Sequence, residues 1–507
     1  MSRLTRNIVY NVTGQTLLLG LGFVAVKYVF KQLGEDALGI LFFAQTVGAV
    51  LCAVLEMGLG STTVREVSAH LSSEPDYVHC FLRTGALLFW GGYVLLASAV
   101  WLAAPLLVHK WIHLRGIDPG LAVHALRVLG VGCVTALPRS FYVSVLRGVQ
   151  RMEFNNSIDV GTLTLQQIGT IAVLALGGGL LHVTYCYLVC YSLSILAYLR
   201  ITAHFFSWRA LLPRFYRVVV KRNLAYASRM AAISLLSMIH QQTDKAVVSK
   251  LLTVGTFGYY GLAYGAVAKG QFLTGAAAQA AFPSLSALFK AGKRDELLAQ
   301  YRKLQDLICF STVPVFAAFP FAAIPLFSFV LNPQAAKMLL LPITFLCLGF
   351  YMNGTLNAPF MFTLAVGRPD IAARANFYAL FGVLPVTVLL IKFFGLPGAG
   401  FSWVFYHLFT YAVMMPPTCS ECLDMSVWKW YLHVFRIVAL AGLTYGGAWF
   451  IITFAGSSSI LSLVLGYVLA SIAFVATAYR LVGNELRETL RRLAFLKPTP
   501  ANTCPLA

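Results

Sequence analysis

The chain has 507 residues, 59% hydrophobic and only 11% charged, with a mean hydropathy of +0.76 and a formal net charge of +20. An ordinary soluble chain carries about 25% charged residues, so a water-soluble globule is excluded for want of polar surface. The apolar residues form long runs without the alternation of a β-barrel, and the basic excess lies mainly in short loops, which points to membrane topology rather than nucleic acid.

Fourteen apolar stretches long enough to cross a bilayer as helices follow one another. They fall at roughly 8–30, 38–60, 82–106, 121–146, 160–181 and 183–206, then 224–251, 256–283, 306–331, 338–366, 371–393 and 396–416, and last 432–454 and 458–480. Lipid offers the backbone no hydrogen bonds, so such stretches must be helical. The chain is predicted to be an all-α polytopic integral membrane protein of about fourteen transmembrane helices. The first stretch has a basic tip and no clean small-residue cleavage site, and it reads as a retained helix rather than a signal peptide.

The connections orient these spans. Arg209, Arg214, Arg217, Lys221 and Arg222 follow the sixth span. Lys290, Lys293, Arg294, Arg302 and Lys303 follow the eighth, and Arg487, Arg491, Arg492 and Lys497 follow the last. The odd-numbered connections carry only scattered bases such as Lys31, Lys110, Arg115, Lys337 and Lys392. Basic loops stay in the cytoplasm, so both termini are expected there. No connection exceeds about 25 residues, which leaves no room for a soluble catalytic domain. The reading is a transporter rather than an enzyme, with no cofactor expected.

The chain also repeats itself at an offset of about 216–220 residues. Arg6-Asn7-Ile8-Val9-Tyr10 matches Arg222-Asn223-Leu224-Ala225-Tyr226. Leu38-Gly39-Ile40-Leu41-Phe42 matches Phe257-Gly258-Tyr259-Tyr260-Gly261, and Arg147-Gly148 corresponds to Gly367-Arg368. An even number of helices per copy gives both copies the same orientation, hence two lobes about an axis along the membrane normal, with substrate at their interface. The expected organisation is a six-helix lobe over 1–215, a second over 216–417, and two additional helices with a basic tail over 418–507.

Ionisable residues within spans are costly and mark function by default. Lys27 lies near the outer end of the first span, where it serves a cavity or snorkels to the interface. Glu56, near the inner end of the second, is an inner-gate residue or a headgroup-level carboxylate. Arg229, Asp244 and Lys245 lie along the seventh span. Asp244 and Lys245 are adjacent, about 100° apart on a helix, and are not expected to pair face to face. Asp244 orients a nearby base, binds a coupling cation, or forms an interfacial pair. Lys269, midway along the eighth span with no charge near it in sequence, faces either a wet cavity suited to an anion such as phosphate or an acidic partner such as Asp244. Tyr259, Tyr260 and Tyr264 read as interfacial aromatics, and His240 and His407 as hydrogen-bonded structure. The ten cysteines form no disulfide framework, and the lone pair Cys419 and Cys422 makes no metal site.

Several of these segments resemble bacterial polysaccharide flippases. The stretch Thr243-Asp244-Lys245, Gly258-Tyr259-Tyr260, Phe282-Pro283-Ser284-Leu285-Ser286 and Lys293-Arg294-Asp295-Glu296-Leu297 is similar to the middle of that family. Glu56-Met57-Gly58-Leu59-Gly60 with Arg65-Glu66 resembles its "D-L-G-L … R-E" segment, with Glu where Asp is common. Arg147-Gly148-Val149-Gln150-Arg151 looks like its "R-G-x-Q-R" loop. The family is the Wzx-type lipid-linked oligosaccharide flippases of the multidrug/oligosaccharidyl-lipid/polysaccharide exporter (MOP) superfamily. The resemblance implies two six-helix bundles in a V, here with two extra C-terminal helices like those of peptidoglycan-precursor flippases. It implies an undecaprenyl-pyrophosphate-linked oligosaccharide moved from the cytoplasmic to the periplasmic leaflet of the bacterial inner membrane by alternating access. The implied site is a cationic central cavity, a role that Lys27, Arg229, Lys245 and Lys269 fit, with Asp244 and Glu56 in coupling or gating. Membrane lipid, a polysaccharide polymerase and glycosyltransferases are the implied partners. A cation-coupled multidrug exporter and a peptidoglycan-precursor flippase are the alternatives.

Overall fold

A computed structural model describes residues 3–56, 58–456, 459–483 and 485–488, with side chains from Leu18 onward except at 229, 232–234, 237 and 273. The basic tail beyond 488 lies outside the described residues. Every named element among the described residues is a helix, as the long apolar runs require, and His113–Thr253 is an isolated β-bridge. Ten helical segments are long and apolar enough to cross a membrane. The chain is therefore a multi-pass, all-α membrane protein.

The difference between ten and the expected fourteen has physical causes. The first two predicted spans are two helices that meet without a loop in α1 (Arg3–Glu56), separated at Gly34, whose non-helical backbone (φ 82°, ψ −177°) only glycine adopts without strain. The seventh, α8 (Arg217–Leu251), is diluted by His240, Gln241, Gln242, Asp244 and Lys245. The eighth is divided at Lys269–Gly270 into α9 (Val254–Ala268) and α10 (Gln271–Lys290). The twelfth, α14 (Leu396–Pro417), is rich in Gly, aromatic and polar residues and misses the apolarity threshold.

The described helices gather into two compact units. The first comprises residues 1–266, 326–342 and 380–402. Besides α1, α8 and most of α9 it contains α2 (Leu59–His70), α3 (Pro75–Leu106), α4 (Pro119–Cys133), α5 (Ala136–Gly148), α6 (Met152–Ala175) and α7 (Leu180–Phe206). Local signals set these boundaries. Pro75 and Pro119 sit in first turns, where a missing N–H costs nothing, and the Asp118 carboxylate accepts from the Leu121 N–H at 2.9 Å. The core is aromatic and aliphatic, centred on Leu82, Phe89, Phe141, Tyr142, Val145 and Tyr198. Its polar groups find partners: Trp90 Nε1 donates to the Tyr142 hydroxyl at 2.9 Å and the Tyr198 hydroxyl donates to Asp159 Oδ1 at 2.8 Å.

Glycines let backbones meet inside this unit. A Cβ on Gly39 would fall 1.9 Å from the Val254 carbonyl oxygen, and one on Gly258 would fall 2.8 Å from Gly39 N. These are the two glycines that the internal repeat aligns. Phe42 likewise packs on Gly261, its own aligned position.

The second unit comprises residues 267–325, 343–379 and 403–507. It holds α10 and parts of α11 (Arg294–Val330), α12 (Pro333–Ala365), α13 (Pro369–Phe394) and α14, followed by α15 (Val427–Ala441), α16 (Gly447–Phe454) and α17 (Ile460–Leu481). The last helices pack on α11 through aromatic edges: Phe321 meets Trp449 at 5.3 Å and Tyr467 at 5.9 Å, and the Tyr467 hydroxyl donates to the Pro314 carbonyl.

Candidate functional site

Within the first unit, α8 and α9 bring together residues that sequence reasoning treated separately. Asp244 is 3% exposed, and the Tyr260 hydroxyl donates to its Oδ2 at 2.5 Å. Lys245 is 8% exposed. Its ammonium lies 3.6 Å from Asp244 Oδ1, donates to the Gln241 carbonyl at 2.6 Å, and sits 3.5 Å from the centre of the Tyr264 ring. This corrects the expectation that Asp244 and Lys245 cannot pair. Their Cβ vectors diverge, but the four-carbon lysine stem curls back along the helix. Tyr260 is fully buried and serves the Asp244 carboxylate rather than a lipid surface, and the half-buried Tyr264 ring lies against the Lys245 ammonium. Tyr259 donates to Glu35 Oε2 at 2.6 Å. The signal that could have found this was the GYY motif one helical hairpin after Thr-Asp-Lys.

Glu56 ends α1 beside α5. Gly60 is so close that a Cβ there would lie 2.6 Å from Glu56 Oε1, and Ser140 and Arg147 of α5 bear on the carboxylate. The two motif segments around Glu56 and Arg147 thus converge. Gly148 allows it, since a Cβ there would strike Val67 of α2 at 2.7 Å. From α2 a polar chain reaches α8. Arg65 pairs with buried Glu66 at 2.6 Å and donates to Asn223 Oδ1 at 3.0 Å. Asn223 donates to the Tyr77 hydroxyl, which donates to Glu66 Oε2 at 2.7 Å. Beside it, Arg222 bonds Glu74 at 2.9 Å and stacks on Tyr77, and these bonds hold the Glu74 carboxyl below its usual range.

Lys27, half-buried on α1, places its ammonium 3.2 Å from the Phe329 ring centre. The Arg229 side chain lies outside the described residues.

Lys269 belongs to the second unit. It sits, exposed, in the turn between α9 and α10. Among the described residues of its own unit, no carboxylate lies within 4 Å of its ammonium. The turn is followed by polar groups that sequence reasoning passed over: Gln271 Nε2 donates to the Phe350 carbonyl at 2.5 Å, and Asn357 Nδ2 donates to Thr274 Oγ1 at 3.0 Å. In the same unit His407 is fully buried, with Nδ1 on the Trp403 carbonyl at 2.7 Å and Nε2 3.0 Å from Asn353 Nδ2, the structural role expected of it.

A family model described as polysaccharide biosynthesis protein matches residues 4–289, more than half of the chain. The chain belongs to the polysaccharide biosynthesis protein family. This bears out the resemblance to Wzx-type flippases of the MOP superfamily. A Shigella flexneri protein provisionally described as an O-antigen transporter is 18% identical over 411 residues, covering 78% of this chain and 93% of that protein. Among solved structures, the inward closed conformation of the lipid II flippase MurJ superposes with a TM-score of 0.69 at 14% identity, covering 93% of this chain and 99% of that one. An inward-facing MATE multidrug transporter of the MOP superfamily gives 0.66 at 16% identity, covering 80% and 94%. These likenesses extend the shared fold across most of the chain. Each of these similar proteins is named for transport or flipping and none for an enzymatic reaction.

Proposed function

We propose that this family member moves a polyprenyl-pyrophosphate-linked oligosaccharide from the cytoplasmic to the periplasmic leaflet of the bacterial inner membrane by alternating access. The two lobes would be 1–215 and 216–417, with both termini cytoplasmic, and a polymerase and glycosyltransferases would be its partners. One observation carries the reading of the site. Of the cavity cations whose side chains are described, Lys245 is engaged by Asp244 and Tyr264 and Lys27 by Phe329, while among the described residues of its unit Lys269 meets neither a carboxylate nor a ring. It stands at a break in a helix within an apolar stretch. Non-helical backbone at membrane depth is tolerated where it is buried in protein or lines a watery cavity, and an unneutralised ammonium there favours the cavity and attracts an anion. The pyrophosphate is that anion. Arg229 and Lys27 would add to the field, while Asp244 would fix Lys245 and Glu56 would engage Arg147 at the inner end.

The test is transport of the lipid-linked repeat unit by the reconstituted chain, and surface polysaccharide in a clean deletion strain. Lys269→Ala is expected to lower transport about tenfold or more, the scale of one lost charge-assisted contact, with Lys269→Arg retaining more. Full transport by well-folded Lys269→Ala would remove it from the site. Unchanged polysaccharide in the deletion strain would overturn the function. A peptidoglycan-precursor substrate is the second reading, favoured by the extent of the MurJ superposition. The family match favours the polysaccharide carrier.

A further inference from the structure

The second unit presents a narrow polar stripe on a membrane-spanning helix. α12 is apolar enough to cross a bilayer. Between Tyr351 and Phe360 its residues are buried in protein except Asn353, Asn357 and Phe360, which keep exposed surface. Their i, i+4, i+7 spacing places all three on one face of the helix. The start of α10 packs on the same stretch of α12. Gln271 Nε2 donates to the Phe350 carbonyl at 2.5 Å, and a Cβ on Gly354 would lie 2.9 Å from Thr274 Cγ2. Lys269 stands two residues before Gln271, so the stripe starts beside the turn that carries this ammonium.

Hydrogen-bond accounting fixes how the two amides are turned. The fully buried His407 places Nδ1 2.7 Å from the Trp403 carbonyl, which only accepts, so Nδ1 carries the proton and Nε2 of the neutral ring accepts. Asn353 must therefore offer it Nδ2, at 3.0 Å. The Thr274 hydroxyl donates to Gln271, 2.9 Å away, and accepts from Asn357 Nδ2 at 3.0 Å. Both amide nitrogens thus turn into the protein, and both Oδ1 atoms turn away from these partners. Neither oxygen is hydrogen-bonded among the described residues, and neither is closed off from water. One helical turn, about 5–6 Å, separates the two residues.

Lipid would leave both oxygens without donors, a cost that leucines at these positions would avoid. The stripe therefore belongs against a polar occupant. Two acceptors with a phenylalanine ring beside them suit a ring-shaped molecule with hydroxyls at its edge and C–H groups on its face. A phosphate or carboxylate would bring acceptors to acceptors. A cation would find no carboxylate on the stripe and the Lys269 ammonium next to it. We propose that Asn353, Asn357 and Phe360 form a subsite for a neutral sugar residue of the carried glycan, beside the Lys269 site for pyrophosphate. The proposal rests on the oligosaccharide-carrier reading. It assigns recognition of the sugar to α12 and recognition of charge to the break before α10.

The full chain, purified in detergent, is titrated separately with the free repeat-unit oligosaccharide released from its lipid, with inorganic pyrophosphate, and with sodium against choline, with thermal shift as the readout. Asn357→Leu and Phe360→Leu are each expected to weaken oligosaccharide binding about tenfold, the scale of one lost contact, and to leave pyrophosphate binding unchanged. Asn353 stays in place because its Nδ2 also serves the buried His407. Phe360→Tyr, which keeps the ring, should bind the oligosaccharide like the parent and guards against misfolding as the cause. Undiminished binding in both leucine variants would overturn the subsite while the flippase reading stands. Equal loss of oligosaccharide and pyrophosphate would mean general damage and would overturn it as well. Stabilisation by sodium that Asn357→Leu abolishes, without any effect on the oligosaccharide, would make the stripe a cation site instead. If the parent binds the oligosaccharide through these residues and moves no lipid-linked unit, the flippase reading fails and the sugar subsite survives. If it binds no oligosaccharide, the subsite fails by itself.

Discussion

At the residue scale, Asp244 and Lys245 show how a charge pair is held at membrane depth. The carboxylate has an ammonium and a phenol among its partners, and the ammonium meets a carboxylate, a carbonyl and a ring. Removing one member leaves the other charge buried and uncompensated, at about 3–5 kcal/mol, whereas removing both charges together is often nearly neutral. Lys245→Met and Asp244→Asn are each expected to lower thermal stability in detergent strongly, and the double variant should recover most of the loss. Equal or additive losses would show that the pair is not coupled. Tyr260→Phe should cost about 1–3 kcal/mol by removing the phenol's hydrogen bond to the buried Asp244 carboxylate. The charges themselves were legible in the sequence, as ionisable residues inside an apolar run always are. Their partners were not. Tyr260 lies sixteen positions on and reaches Asp244 only once α8 and α9 fold back on each other, and the pairing of adjacent residues depends on lysine's reach rather than on helical spacing.

At the element scale, the internal repeat acquires a physical meaning. Positions that a two-fold repeat aligns meet their own counterparts on the axis relating the copies, as in any isologous contact. Gly39 against Gly258 and Phe42 against Gly261 bring together positions that the sequence matches align, as such an axis would require. The weak sequence matches around them were therefore informative because glycine is demanded on both sides of one close crossing. Gly39→Ala is expected to destabilise by at least the 1–3 kcal/mol typical of overpacking, because its methyl would meet a carbonyl oxygen rather than a movable side chain. Gly20→Ala, with nothing within 4 Å of the added carbon, should leave stability unchanged or slightly raised. Monodisperse yield and melting temperature of the two variants check the contrast, and equal behaviour would argue against the crossing. Most helices were legible from apolar length alone. The interruption at Gly34 falls in the polar stretch 31–37 where the sequence reading already placed a connection, whereas the break at Lys269 was not legible, because it sits in an apolar stretch whose composition reads as continuous helix.

At the scale of the whole molecule, polar clamps join connections that the charge pattern assigns to one side of the membrane. Arg222 binds Glu74, linking the start of α8 to the connection before α3. The arginine keeps its charge at every relevant pH, and the Glu74 carboxyl is held below its ordinary pKa of about 4.3. The clamp's contribution is therefore complete above that value and lost as pH falls through the lower folded one. A stability difference between the parent and Glu74→Gln should persist at neutral pH and disappear only once the pH has fallen below the ordinary carboxylate range; a difference that grows on acidification would contradict the clamp. The far end of α8 is tied to a different set of connections. Trp111 Nε1 donates to Ser249 Oγ at 3.0 Å, Lys250 donates to the Lys110 carbonyl, and the Val254 N–H donates to the His113 carbonyl. Residues 107–118 form an odd-numbered connection and the Glu74 region an even-numbered one, so α8 starts among connections of one predicted side and ends among those of the other. Its 35 residues rise about 52 Å, more than the roughly 30 Å of hydrocarbon to be crossed. We therefore expect α8 to span despite its polar residues, which α9 and its own side chains satisfy. In a cysteine-free background, Leu251→Cys should react with a membrane-impermeant thiol reagent added outside the cell, and Ser207→Cys only after permeabilisation. Protection of Leu251→Cys from the outside together with labelling from within would place both ends of α8 on one side, and the count of spans would fall with it.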